Sequence, residues 1–158
     1  MNIKIIMSES RDIVKKLSTD FTLSMYGLEV RLIAKEDAEF VSEIRNDKEL
    51  NKYLNEITAY VDDQISWINN YKLREKEGLE YYFIYEYNGK PIGLNRMKNI
   101  CSDSWMGASL IFMKNSPPGS SIIGSMIHFY IGFEILGLSV HFGDVLKSNY
   151  GAIRFNRY

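Results

Sequence analysis

The chain has 158 residues and a mass of 18.4 kDa, with 19 basic against 20 acidic residues, a length that supports one domain around one core. Its 46% hydrophobic and 25% charged residues, with only 3 prolines, exclude a disordered or collagen-like chain, and a net charge of −1 gives no basis for nucleic-acid binding. A single cysteine, Cys101, excludes an internal disulfide framework and any multi-cysteine metal site, and it fits a reducing cytoplasm.

Residues 1–26 read as a polar, partly helical N-terminal extension, with Ile13, Val14 and Leu17 at helical spacing. Met1 to Met7 is apolar, but Glu9, Arg11 and Asp12 follow at once, which leaves too short a run for a signal-peptide core. The domain proper is assigned to residues 27–158. Leu28 to Ile33 alternates with period two and predicts a strand. Lys35 to Arg45 predicts a helix, with Ala38, Val41 and Ile44 in one row and acids at Glu36, Asp37 and Glu39 in its first turn. A second helix is predicted over Asp62 to Lys76, ended by Gly78.

Tyr81–Tyr87 and Pro91–Lys98 flank Asn88-Gly89, a strong hairpin signal, and a third strand near Ser104–Met113 completes a meander. Ser116-Pro117-Pro118-Gly119-Ser120-Ser121 then predicts a turn into a helix over Ile122 to Leu136, stopped by Gly137. The nearly all-apolar Leu138–Leu146 predicts a strand buried on both faces, and Asn149 opens a last helix over Tyr150 to Tyr158.

Charge divides unevenly. Residues 29–86 carry 14 acids and 8 bases, whereas residues 87–158 carry 3 acids and 7 bases, so an anion is better received by the second half. From Asn115 to Gly143 the one formal charge is Glu134, a run long enough to cross a bilayer. Glu134 would cost roughly 2.5–3.5 kcal/mol inside it, and Pro117, Pro118 and five glycines interrupt it. A buried helix leading into a strand explains the run better than a membrane span. Neither His128 nor His141 has a metal-ligand partner at sensible spacing, and both read as core residues.

Strand, two helices, three-strand meander, helix, strand, helix is an α+β order with one crossover. This order resembles the GCN5-related N-acetyltransferase (GNAT) superfamily. Leu28–Ile33 with Glu36-Asp37-Ala38, then Ile44-Arg45-Asn46-Asp47, Ile65-Ser66-Trp67-Ile68 and Tyr82-Phe83-Ile84, are similar to its branch that acetylates ribosomal-protein N-termini and amino sugars. Gly89-Lys90-Pro91-Ile92-Gly93 resembles that family's hairpin, and Tyr130 to Leu138 its cofactor-side helix end. Asn149-Tyr150-Gly151-Ala152-Ile153 looks like the stretch after its next strand.

The resemblance implies a mixed, mostly antiparallel central sheet flanked by helices, lacking the family's final strand or strands. It implies acetyl-CoA as acetyl donor and a primary amine as acceptor, an amino sugar before a protein N-terminus. The rival reading is a non-catalytic binding domain of the same fold. The family's pyrophosphate cradle maps onto Ser116, Gly119, Ser120 and Ser121, where Pro117 and Pro118 offer no N–H. The backbone of Leu110, Ile111 and Met113 would take the pantetheine arm and polarise the thioester, with Asn149 also on the cofactor side.

The family's tyrosine acid falls at Asn156, whose amide can only hydrogen-bond the sulfur. No general base is singled out among Glu80, Glu86 and Asp103. Arg45 and Asn46 read either as acceptor contacts or as a helix C-cap, Trp67 as core or as ligand platform, and Asn95 as a polar residue facing the cleft. The uncovered edge beside Leu138–Leu146 leaves three readings: a truncated chain, cover by the extra N-terminal residues, or cover by another chain, a homodimer among the candidates.

Overall fold

A computed structural model describes residues 15–54 and 60–157. It holds six strands: β1 (Thr22–Met25), β2 (Leu28–Leu32), β3 (Tyr81–Tyr87), β4 (Lys90–Lys98), β5 (Ser104–Phe112) and β6 (Val140–Gly143). Four helices accompany them: α1 (Ala38–Asn46), α2 (Val61–Lys76), α3 (Ser120–Tyr130) and α4 (Tyr150–Phe155). The strands form one sheet in the order β1-β2-β3-β4-β5-β6, every neighbour antiparallel except β5 and β6. This is the α+β layout, with α3 in the one crossover between parallel strands.

Tyr81 to Tyr85 explains how the layers are built. All five side chains are buried although successive residues point to opposite faces, so both faces of β3 must be covered. Tyr82 and Ile84 join Ile33, Val41, Ile44, Ile68 and Tyr71 beneath α1 and α2. Tyr81, Phe83 and Tyr85 join Trp105, Ile127 and Ile131 beneath α3. The hairpin between β3 and β4 turns where Asn88 and Gly89 have φ of 50° and 71°, the left-handed pair that such a turn requires.

Four expectations change. Thr22–Met25, assigned to the extension, pairs with β2 as the sheet's first strand, so 26 and 27 form a hairpin turn, not a domain boundary. Of the predicted helical spacing, Leu17 lies in coil against the α3-side core, and Ile13 and Val14 fall outside the described residues. The helix after the turn begins at Ser120 and changes at Ile131–Ile135 to a π turn, closed by Leu136 N–H to the Ile131 carbonyl at 2.9 Å. Packing makes that change: a Cβ on Gly132 would lie 2.4 Å from the Trp105 ring, and the wider turn lets the indole in.

The largest difference is at Leu138–Leu146. Only Val140–Gly143 is strand, and Phe142 is 54% exposed. Among the described residues β6 pairs with β5 alone, so it is an edge and not a doubly covered strand. No helix among the described residues is long and apolar enough to cross a membrane.

Candidate active site

The site is built where β5 outruns its parallel partner. β5 and β6 pair from Ser104 with Val140 to Gly107 with Gly143, and β5 then continues to Phe112 alone on that side. In the same stretch its pairing with β4 slips: Leu94 faces Ile111 while Arg96 faces Ala108. Ser109 and Leu110 therefore oppose the single residue Asn95, a β-bulge, and Ser109 stands at φ 55°, rare for a residue with a side chain. A bulge turns backbone groups out of the ladder. Here it does so at the open edge, the location where a thioester carbonyl could meet an N–H.

Of the residues proposed for the pantetheine arm, Leu110 and Ile111 lie on that edge, Ile111 with its side chain buried in the α1–α2 core. Met113 is drawn back to β4, its N–H donating to the Ile92 carbonyl at 2.8 Å.

The chain then turns into α3 through the Pro117-Pro118 loop. Ser116 Oγ donates to the Ile92 carbonyl at 3.2 Å, which fixes the loop to β4. Ser120 N–H and Oγ both donate to the Pro117 carbonyl, at 3.1 and 2.7 Å, so that proline serves as acceptor although it lacks a donor. Gly119 is the left-handed N-cap at φ 84°, and a Cβ there would meet nothing within 4 Å. Ser121 and Ile122 belong to the first turn, whose N–H groups have no carbonyl one turn earlier to bond. An open left-handed glycine beside such amides fits a phosphate group.

On the α1–α2 face Arg45 is buried and donates from Nη1 to Ser109 Oγ at 3.2 Å, linking α1 to the bulge. Burial pushes the Tyr82 hydroxyl up, against the pull of the Arg45 and Arg96 guanidiniums on the same face. Trp67 stacks on Tyr71 at 5.5 Å and lies edge-on to Tyr82 at 5.8 Å, with the Arg96 guanidinium 5.3 Å from its ring. Glu80 accepts from Arg74 and Arg96, which makes it part of a structural ion pair.

Asn46 turns inward on its own helix, Nδ2 donating to the Ser42 carbonyl at 2.8 Å. Asn95 lies on the other face, buried beside the Tyr85 hydroxyl, which donates to the Gly124 carbonyl at 3.0 Å. The structure thus brings Arg45, Leu110 and Ile111 around the bulge, keeps Trp67 on the same face against Tyr71 and Tyr82, and sets Asn95 on the opposite face.

Asn149 caps α4, its Oδ1 accepting from Ala152 N–H at 3.0 Å, and Asn156 is exposed, its Nδ2 donating back to the Ala152 carbonyl at 2.9 Å. Sequence reasoning singled out neither Ser109 nor Tyr82, the residues that Arg45 meets on this face. Ser109 left no signal because a bulge is a register event, whereas Tyr82 stood in the quoted Tyr82-Phe83-Ile84 run.

A cavity of about 810 Å³ adjoins the loop on its α1 side, lined among others by Glu36, Glu39, Glu43, Lys90, Met113 and Ser116. Its three carboxylates favour a cation there. No metal-binding group of three or more His, Cys, Asp or Glu occurs among the described residues.

A mixed sheet that parts between two parallel strands, with a bulge on one and a helix N-terminus above it, is the fold of the N-acetyltransferases. Among solved structures, the chain is similar to apo FdhC, a nucleotide-linked sugar GNAT, at 30% identity and TM-score 0.79, over 87% of this chain and 80% of that one. The chain belongs to the GNAT superfamily. It is an acetyltransferase that acts on an amine, with acetyl-CoA as donor.

The fold is shared with the ribosomal-protein-S5-alanine acetyltransferase from Vibrio fischeri, at 16% identity and TM-score 0.73 over 85% of this chain and 79% of that one. It is shared equally with the spermidine N-acetyltransferase from Vibrio cholerae in complex with CoA and spermine, at 19% and 0.69 over 84% and 79%. No family model and no curated protein matches the sequence.

Proposed function

We propose that this protein transfers acetyl from acetyl-CoA to the primary amine of a nucleotide-linked amino sugar, in the cytoplasm. The observation that carries the acceptor is the 30% identity, over 87% of the chain, with a GNAT of nucleotide-linked sugars.

In this reading Gly119 and Ser121 hold the donor's pyrophosphate at the head of α3, Ser120 fastens the loop through the Pro117 carbonyl, and the open edge at Leu110 and Ile111 holds the donor's arm. The donor supplies an activated acetyl thioester. The protein's own part is placement: it sets the amine and the carbonyl on one line and offers an N–H where negative charge develops. Asn156 would contribute at most a hydrogen bond, so the departing thiolate takes its proton from water.

The test starts with thermal unfolding with and without saturating acetyl-CoA. A donor at 100 times its dissociation constant should stabilise the fold by about 2.7 kcal/mol. Transfer is then measured to UDP- and dTDP-linked amino sugars, with spermidine and an alanine-terminated peptide as competitors. Spermidine is included because Glu36, Glu39 and Glu43 line the adjacent cavity. Preference for either competitor would overturn the sugar reading, and no donor binding at millimolar concentration would favour the non-catalytic domain.

A further inference from the structure

Ser109 combines three properties that packing alone does not require. It holds a left-handed φ of 55° in mid-strand, it stands in the bulge at the free edge of β5, and its Oγ accepts from the buried Arg45 at 3.2 Å. The backbone conformation is costly for any residue but glycine, on the order of 1 kcal/mol. A glycine would make the same bulge without that cost, but it would lack the hydroxyl that Arg45 holds at the free edge.

We infer that Ser109 Oγ is the acceptor-amine contact of this enzyme. With one lone pair taken by Arg45 Nη1, the oxygen keeps a second for an N–H of the incoming amine. The guanidinium fixes the hydroxyl's orientation, so that lone pair is held and not averaged over rotamers. The neighbouring backbone of Leu110 and Ile111 is the edge assigned to the thioester. Attacking nitrogen and carbonyl carbon are then brought together by adjacent residues of one strand. Ser109 does not take the proton: a hydroxyl beside a guanidinium is a poor base, and the contact works by position.

The inference rests on amine acetylation and not on the identity of the amine. The experiment compares Ser109→Gly and Ser109→Ala with the wild type, using whichever of a UDP- or dTDP-linked amino sugar, spermidine or an alanine-terminated peptide the wild type acetylates fastest. Glycine removes both hydroxyl and strain, whereas alanine removes only the hydroxyl. Both should lose about tenfold in kcat/KM for the amine, one hydrogen bond's worth. Acetyl-CoA affinity should hold within about twofold, and the Tm of the glycine variant should exceed that of the alanine variant, which keeps the strain.

A glycine variant with wild-type kinetics would overturn the inference, as would a loss that follows Tm and leaves glycine active. If the sugar is inert but another amine is turned over, the sugar reading fails and Ser109 is still decided. If no amine is turned over, both fall.

Discussion

Trp105 and His128 are joined across the core by one hydrogen bond, the indole Nε1 donating to His128 Nε2 at 2.9 Å. That bond needs an unprotonated Nε2. Burial, reinforced by nearby His141, pushes His128 down to about 3 from the ordinary 6.5. The unfolded chain therefore binds a proton that the folded chain refuses between those values. Stability is complete above pH 6.5 and is lost as pH falls toward 3.

Lowering pH from 7 to 5 should remove about 2 kcal/mol by this one group, read from urea unfolding at each pH. His128→Gln, which offers an amide oxygen to the indole without titrating, should flatten that slope. An unchanged slope would assign the acid sensitivity elsewhere, first to half-buried His141, which burial also lowers.

Phe112 occupies a slot cut by two glycines. A Cβ on Gly93 would lie 2.4 Å from its ring, and one on Gly124 2.5 Å. Gly124→Ala should therefore destabilise by about 1–3 kcal/mol through overpacking. The double variant Gly124→Ala with Phe112→Leu should recover part of that loss, measured as a coupling in a double-mutant cycle. Strict additivity of the two changes would show that ring and glycine are not in contact.

The Tyr71 hydroxyl holds α2 to the sheet. It accepts from Tyr82 N–H at 2.6 Å and donates to Glu75 Oε2 at 2.7 Å, both sites buried. Tyr71→Phe keeps the ring stacked on Trp67 but leaves a buried amide without its acceptor. The expected destabilisation is about 1–3 kcal/mol, with the aromatic packing near Trp67 preserved in fluorescence. A variant as stable as wild type would mean that water takes the hydroxyl's place.

Gly119 allows charge to be separated from shape at the proposed donor site. Asn tolerates its left-handed φ of 84°, and open space surrounds it, so Gly119→Asn should fold and bind acetyl-CoA nearly as wild type does. Gly119→Asp differs from it by one negative charge facing the pyrophosphate. Calorimetry should find the Asp variant about tenfold weaker than the Asn variant. Equal affinities would place the pyrophosphate away from this loop.

Much of the fold was legible because it is written in local chemistry. The hairpin at Asn88-Gly89, the α2 stop at Gly78 and the α3 start around Gly119 all rest on residues whose backbone preferences are strong. The region past Gly137 was less so: apolar content at Leu138–Leu146 says nothing about how many neighbours a strand has, and the run forms a short edge.

At the proposed site the backbone elements came from resemblance, and side-chain facing was the hidden variable. Asn95 is polar in an apolar strand, as a cleft residue would be, yet its pairing with Phe83 puts it on the α3 face beside Tyr85. Ser109 could be found only once the register was known.

β3 sends its residues alternately into two cores, Tyr82 and Ile84 to one side and Tyr81, Phe83 and Tyr85 to the other. The sheet thus works as a partition. Arg45, Trp67 and Tyr82 lie on one side of it, and α3 with the fittings of Phe112 and Trp105 lies on the other. Under the proposed function, substitutions on the Arg45 side would change which amine is admitted without disturbing the α3 half, and the bulge at Ser109 is the window through which the two halves meet.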